Sequence, residues 1–143
     1  MKTGALLISE KRESHTKKGY DYNHDSGHTP EQFINAATVY MGLSPYAWPF
    51  DKASLKLSNK IENLSNAGSM IAAAIDLLQR YEVGKEYKSG TCMQPGTFRV
   101  TKIKVNKTHV AIHFVGTSGD LKPAKQSFML GSTFDLYATP LDQ

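Results

Sequence analysis

The hydrophobic pattern of this chain changes period once, at Gly84, and that change limits the folds open to it. Before Gly84, apolar residues recur three or four apart: Phe33, Ala36, Ala37 and Tyr40, then Ile61, Leu64, Ala67, Ile71, Ala74, Ile75 and Leu78. That spacing gathers them on one face of a helix. After Gly84, β-branched and aromatic residues alternate with polar ones over 98–105 and 108–115, which is strand spacing. Helices followed by strands, rather than interleaved with them, point to an α+β fold. The expected architecture is an N-terminal three-helix unit over residues 1–83. A small antiparallel β-barrel or curled sheet, SH3-like in size, is expected over 84–143.

Local signals place the elements. Residues 6–18 read as a first helix stopped at Gly19, with an apolar face so thin that it must dock on something else. Thr29 and Gln32 form a capping box with Pro30 at the first helical position, so a second helix starts there and ends before Gly42. Pro45 and Pro49 forbid helix in the loop from Leu43 to Asp51. The longest helix is expected over 58–81, with its apolar residues in one continuous stripe and Gly68 among small residues that permit a close helix neighbour. Beyond Gly84 we expect a short strand at 85–88 and a hairpin turning at Asn106-Lys107. A loop over 116–123 follows, then a second hairpin, strands 126–130 and 133–138, around Gly131-Ser132.

Composition narrows the function classes. The 143 residues, 40% hydrophobic and 21% charged, suit a globular protein. No apolar run approaches the roughly 20 residues that span a bilayer, so no membrane partner is expected. Cys92 is the one cysteine, which excludes an internal disulfide and suits a reducing cytoplasm. The net charge of +4 lies wholly in the second half: nine Lys/Arg face nine Asp/Glu over 1–83, against eight and four over 84–143. This excess can steer an anionic partner but falls well short of a dedicated nucleic-acid binder.

The densest chemistry lies in Gly19–Pro30, where Tyr20, Asp21, Tyr22, His24, Asp25 and His28 crowd a stretch with no helical period. His24 and His28 are four apart, a zinc spacing on a helix, but Gly27 and the Thr29 cap argue for a loop, so no metal is assigned. The backbone N–H groups at Glu31, Gln32 and Phe33 point out of the helix start towards the two histidines, a place for a phosphate or carboxylate. Asp25 could hold one imidazole in a fixed tautomer. The competing reading is a hydrogen-bonded cluster that only fixes the loop. Trp48 and Phe50 could stack on a base, with Asp51 accepting from an amine or ribose hydroxyl; alternatively they close the base of the helical core. His109 and His113 share a strand parity, beside the basic Lys102, Lys104 and Lys107. No nucleophile motif or phosphate-cradling glycine loop is present, so no catalytic residue and no cofactor are assigned.

The first 80 or so residues resemble a family of small, largely uncharacterised proteins of tailed phages and prophages. The resemblance rests on Ser9-Glu10-Lys11-Arg12, Gly19-Tyr20, His24-Asp25 with His28-Thr29, Ala36-Ala37, Tyr40 and Trp48-Pro49-Phe50-Asp51. It closes on Asn63-Leu64-Ser65-Asn66-Ala67-Gly68 and Ala74-Ile75-Asp76. It implies an accessory protein, of a size that often counters host defence, acting in the cytoplasm of an infected bacterium. The expected function is non-enzymatic capture of a phosphate-bearing nucleotide or nucleotide second messenger by a homo-oligomer. The ligand residues would be Tyr20, His24, Asp25, His28, Thr29, Trp48, Phe50 and Asp51. Two other readings stay open. One is a His24- or His28-dependent nucleotide hydrolase, metal-assisted or not; the other is an interaction module whose basic β segment docks on an acidic host protein.

Overall fold

A computed structural model describes residues 1–89, 95–119, 125–129 and 139–141. The chain divides into two compact units, Met1–Leu77 and Leu78–Gln143. Together they make an α+β fold.

The first unit holds four helices: α1 (Gly4–Lys17), α2 (Tyr22–Asp25), α3 (Pro30–Tyr40) and α4 (Lys60–Leu78), with a 3-10 turn at Lys52–Ser54. The capping box at Thr29 forms as the sequence predicts: its hydroxyl accepts from the Gln32 N–H, and the Gln32 side chain accepts from the Thr29 N–H. Phe33, Ala37 and Tyr40 of α3 pack with Ala67, Ala73, Ala74 and Leu77 of α4, and Met70, Trp48, Phe50 and Leu55 close this core. The α4 start falls two residues later than expected. Asn59 accepts from the Glu62 N–H, and the Asn63 amide bonds both backbone groups of Ser58, which holds Ser58 outside the helix.

α1 buries no residue, in keeping with its thin apolar face. It docks on α4 through Lys11–Glu62 (2.7 Å), Arg12–Asp76 (3.3 Å) and His15–Ser69 (2.8 Å). The Lys11 ammonium, by hydrogen bond and then by charge, holds the Glu62 carboxyl below its usual range. This polar docking corrects the expected core stripe. The buried face of α4 is Ser65, Asn66, Ala67, Ser69, Ala73, Ala74 and Leu77, whereas Ile61, Leu64, Ile71 and Ile75 are exposed.

The second unit is an antiparallel sheet of β1 (Glu86–Lys88), β2 (Gly96–Val105), β3 (Val110–Gly119), β4 (Lys125–Met129) and β5 (Thr139–Pro140), in the order β4-β3-β2-β1-β5. Its edge strands β4 and β5 are not paired to each other, so among the described residues the sheet is open and curled, not a closed barrel. Register shifts at Thr97/Phe98 and Val100/Lys102 supply the bulges that bend it. Tyr87, Phe98, Val100, Val110, Ile112 and Phe114 form its core. Tyr81, expected to continue the long helix, lies beyond its end and belongs to this core instead.

Two hairpin details differ from expectation. Val105 pairs with Val110, so the turn spans 106–109 rather than Asn106-Lys107 alone, and the Asn106 N–H donates to the His109 carbonyl. β3 also runs on through Gly116 to Gly119, because Thr97 bonds the hydroxyls of Thr117 and Ser118 across the ladder. Cys92, the Gly131-Ser132 turn and the strand expected at 133–138 lie outside the described residues.

Candidate functional site

The Gly19–Pro30 segment is more ordered than its sequence period implies. Asp21 caps a single helical turn, its carboxylate accepting from the His24 N–H at 3.0 Å, so His24 and Asp25 stand on α2 rather than on a loop. His28 follows this turn and Thr29 opens α3. The two imidazoles still meet, with ring centroids 5.4 Å apart.

Rings continue from both histidines. Tyr20 meets His24 edge-on at 5.0 Å, and His28 meets Phe50 at 5.0 Å and Phe33 at 5.8 Å, both edge-on. Trp48 packs against Phe50 and Tyr40 at 5.5 Å, and its indole N–H donates to the Asp51 carbonyl. Trp48 and Phe50 thus rim the α3–α4 core, the plainer of their two readings. The Asp51 carboxylate caps the 3-10 turn by accepting from the Ala53 N–H at 3.3 Å.

Beneath the ring chain lies an ion pair that sequence reasoning missed. Asp25 is 2% exposed, and Arg12 of α1 donates to its Oδ2 at 2.8 Å. The other carboxylate oxygen lies 3.1 Å from His24 Nδ1. A carboxylate accepts, so a proton belongs on Nδ1, which leaves Nε2 as the acceptor in the neutral tautomer. Arg12 also reaches the Tyr20 carbonyl and Asp76. A second hidden pair joins His15 Nδ1 to the buried Ser69 hydroxyl at 2.8 Å. Burial, and then the charges of Lys11, Lys18 and Arg12, push the His15 pKa down against a smaller opposing pull from Asp25. The one signal for both pairs was the thin apolar face of α1, which leaves polar contacts to attach that helix.

Tyr20, His24, Asp25, His28 and Thr29 therefore come together, joined through His28 by Phe50, with Trp48 and Asp51 one step further along the loop. The helix start offers an anion less than expected, because the capping box takes the Gln32 N–H. The expectation that His109 and His113 share one strand face fails because β3 begins only at Val110. His109 sits in the turn, bonded to Asn106 at 3.0 Å, whereas His113 lies on β3 opposite Lys102. Among the described residues no three His, Cys, Asp or Glu side chains converge as a metal site would require, and no helix is long and apolar enough to cross a membrane. No protein-family model, curated protein or solved structure matches the chain.

Proposed function

We propose that the protein binds and retains a phosphate-bearing nucleotide, without chemistry, on the surface formed by Tyr20, His24 and His28. The observation that carries this reading is the hydrogen bond that His24 Nδ1–H donates to the Asp25 carboxylate, which leaves Nε2 of the neutral tautomer as an acceptor beside the half-exposed Tyr20 ring. A ribose hydroxyl suits that acceptor, His28 is within reach of a phosphate oxygen on the same ligand, and Tyr20 offers a face to the base. The resemblance to tailed-phage proteins supports a setting in an infected bacterial cytoplasm, where sequestering a nucleotide messenger would blunt host defence. The test is to load the protein with cyclic dinucleotides and ADP-ribose, remove free ligand, release the bound fraction by heat and identify it by mass spectrometry. Intact nucleotide retained by the wild type and lost in His24→Ala is the expected result. The reading fails if nothing is retained or if His24→Ala retains as much.

The same hydrogen bond favours one second reading. An imidazole held by a carboxylate, with Nε2 exposed, is the arrangement of a general base, and a nucleotide hydrolase would use it to take a proton from water. In that case the released nucleotide comes back cleaved.

A further inference from the structure

We propose that the exposed aliphatic face of α4 is a homodimer interface in which two copies of α4 pack antiparallel about Gly68. On this face Ile61 is 64% exposed, Leu64 45%, Ile71 41% and Ile75 48%. Four large aliphatic side chains on one helix face, over about 21 Å of helix, are an unusual display for water to solvate.

The chemistry of the face selects its partner. Between Asn63 and Ile75 there is no charged side chain. The acidic residues of α4 nearest its ends, Glu62 and Asp76, turn to Lys11 and Arg12 of α1. A helix that lies on a lipid surface flanks its apolar stripe with Lys and Arg, and a charged peptide partner needs countercharges. This face has one exposed lysine, Lys60, at its N-terminal end, and no charge along the rest of its length. It suits another uncharged aliphatic helix face.

The spacing makes α4 complementary to itself. Ile61 and Ile75 lie seven residues either side of Gly68, and Leu64 and Ile71 lie four before and three after it. A single two-fold axis near Gly68 therefore sets Ile61 against the second copy's Ile75 and Leu64 against its Ile71, the isologous arrangement of a closed dimer. Ile8 of α1 covers Gly68, so the centre of the seam is filled by an aliphatic side chain and not left as a notch. Together the four exposed side chains approach the patch size of a few hundred Å² that marks interaction surfaces on soluble proteins.

This inference is independent of the ligand reading, and its test does not involve ligand. Sedimentation of the full chain at micromolar concentration should give a dimer. Ile71→Glu/Ile75→Glu should weaken self-association by about 100-fold with the helical circular dichroism unchanged. Orientation is read by disulfide capture in a Cys92→Ser background. A mixture of Ile61→Cys and Ile75→Cys chains should cross-link, whereas Ile61→Cys alone should not, since the two copies of position 61 would stand about 21 Å apart. A monomer at all concentrations, a dimer indifferent to the double glutamate, or self-capture of Ile61→Cys in place of the mixed pair overturns the proposal.

Discussion

Arg12 donates to the Oδ2 of Asp25 at 2.8 Å, and this contact between two residues thirteen apart ties α1 to the turn that carries His24. The same guanidinium reaches Asp76 on α4 and the carbonyl of Tyr20, so one side chain joins three helices and the first ring of the site. With the other oxygen of Asp25 on His24 Nδ1, the tautomer of an exposed imidazole depends on a cation supplied by a different helix.

Removing that cation should be costly. Arg12→Met leaves the Asp25 carboxylate enclosed without its partner, a loss of about 3–5 kcal/mol by analogy with other broken buried pairs. Arg12→Met/Asp25→Asn removes both charges and should recover part of this. Urea unfolding of the three proteins measures the difference. An Arg12→Met variant within about 0.5 kcal/mol of wild type would mean that the pair is solvated in solution.

His15 gives the stability a pH dependence of defined sign. Its folded pKa lies below its ordinary value of 6.5, so the unfolded chain takes up a proton first as the pH falls. The stability that goes with a neutral His15 is complete above about pH 6.5 and declines below it, towards the lowered folded value. His15→Gln can keep a bond to the Ser69 hydroxyl but cannot titrate. Comparing denaturant midpoints at pH 7.5 and pH 5 should show a smaller acid loss in His15→Gln than in wild type. Equal losses in the two proteins would show that His15 titrates as if unfolded.

The cap at Thr29 sits between the site and the α3–α4 core, and its contribution is separable from both. Thr29→Ala deletes the acceptor for the Gln32 N–H and should cost about 1 kcal/mol, whereas Thr29→Ser keeps the oxygen and should cost a few tenths. Thermal melts of the two variants decide it. If serine is as damaging as alanine, the methyl group and not the hydroxyl matters there.

The parts of this structure that were legible in the sequence are those that local rules control. Thr29, Pro30 and Gln32 announced the α3 start because a capping box is a contact within four residues. Val110, Ile112 and Phe114 announced the buried side of β3 because alternation follows directly from the pleat. The α1–α4 packing was not legible, because ion pairs and a histidine–serine bond between residues more than fifty apart leave no periodic trace. For the same reason the α4 stripe misled: Ile61 and Ile75 have the spacing of a core face, while the face that is buried carries Ser65 and Ser69. In the site, the histidines stand out by their density, whereas a helix of one turn such as α2, capped by Asp21, is too short to leave a period.

Gly68 tests how closely α1 and α4 approach. A Cβ there would lie 2.5 Å from both Cδ1 and Cγ1 of Ile8, so an alanine must push a β-branched side chain, and α1 with it, away from α4. In an exposed helix interior Gly→Ala gains about 1 kcal/mol from backbone entropy, and overpacking costs about 1–3 kcal/mol, so the packing term should win. Gly68→Ala is therefore expected to destabilise by about 1 kcal/mol on this balance. Ile8→Ala/Gly68→Ala, with the clashing atoms gone, should be more stable than Gly68→Ala alone, an inversion that chemical denaturation reads directly. If Gly68→Ala is instead more stable than wild type, Ile8 has room to turn aside and α1 rests on α4 less tightly than the 2.5 Å approach implies.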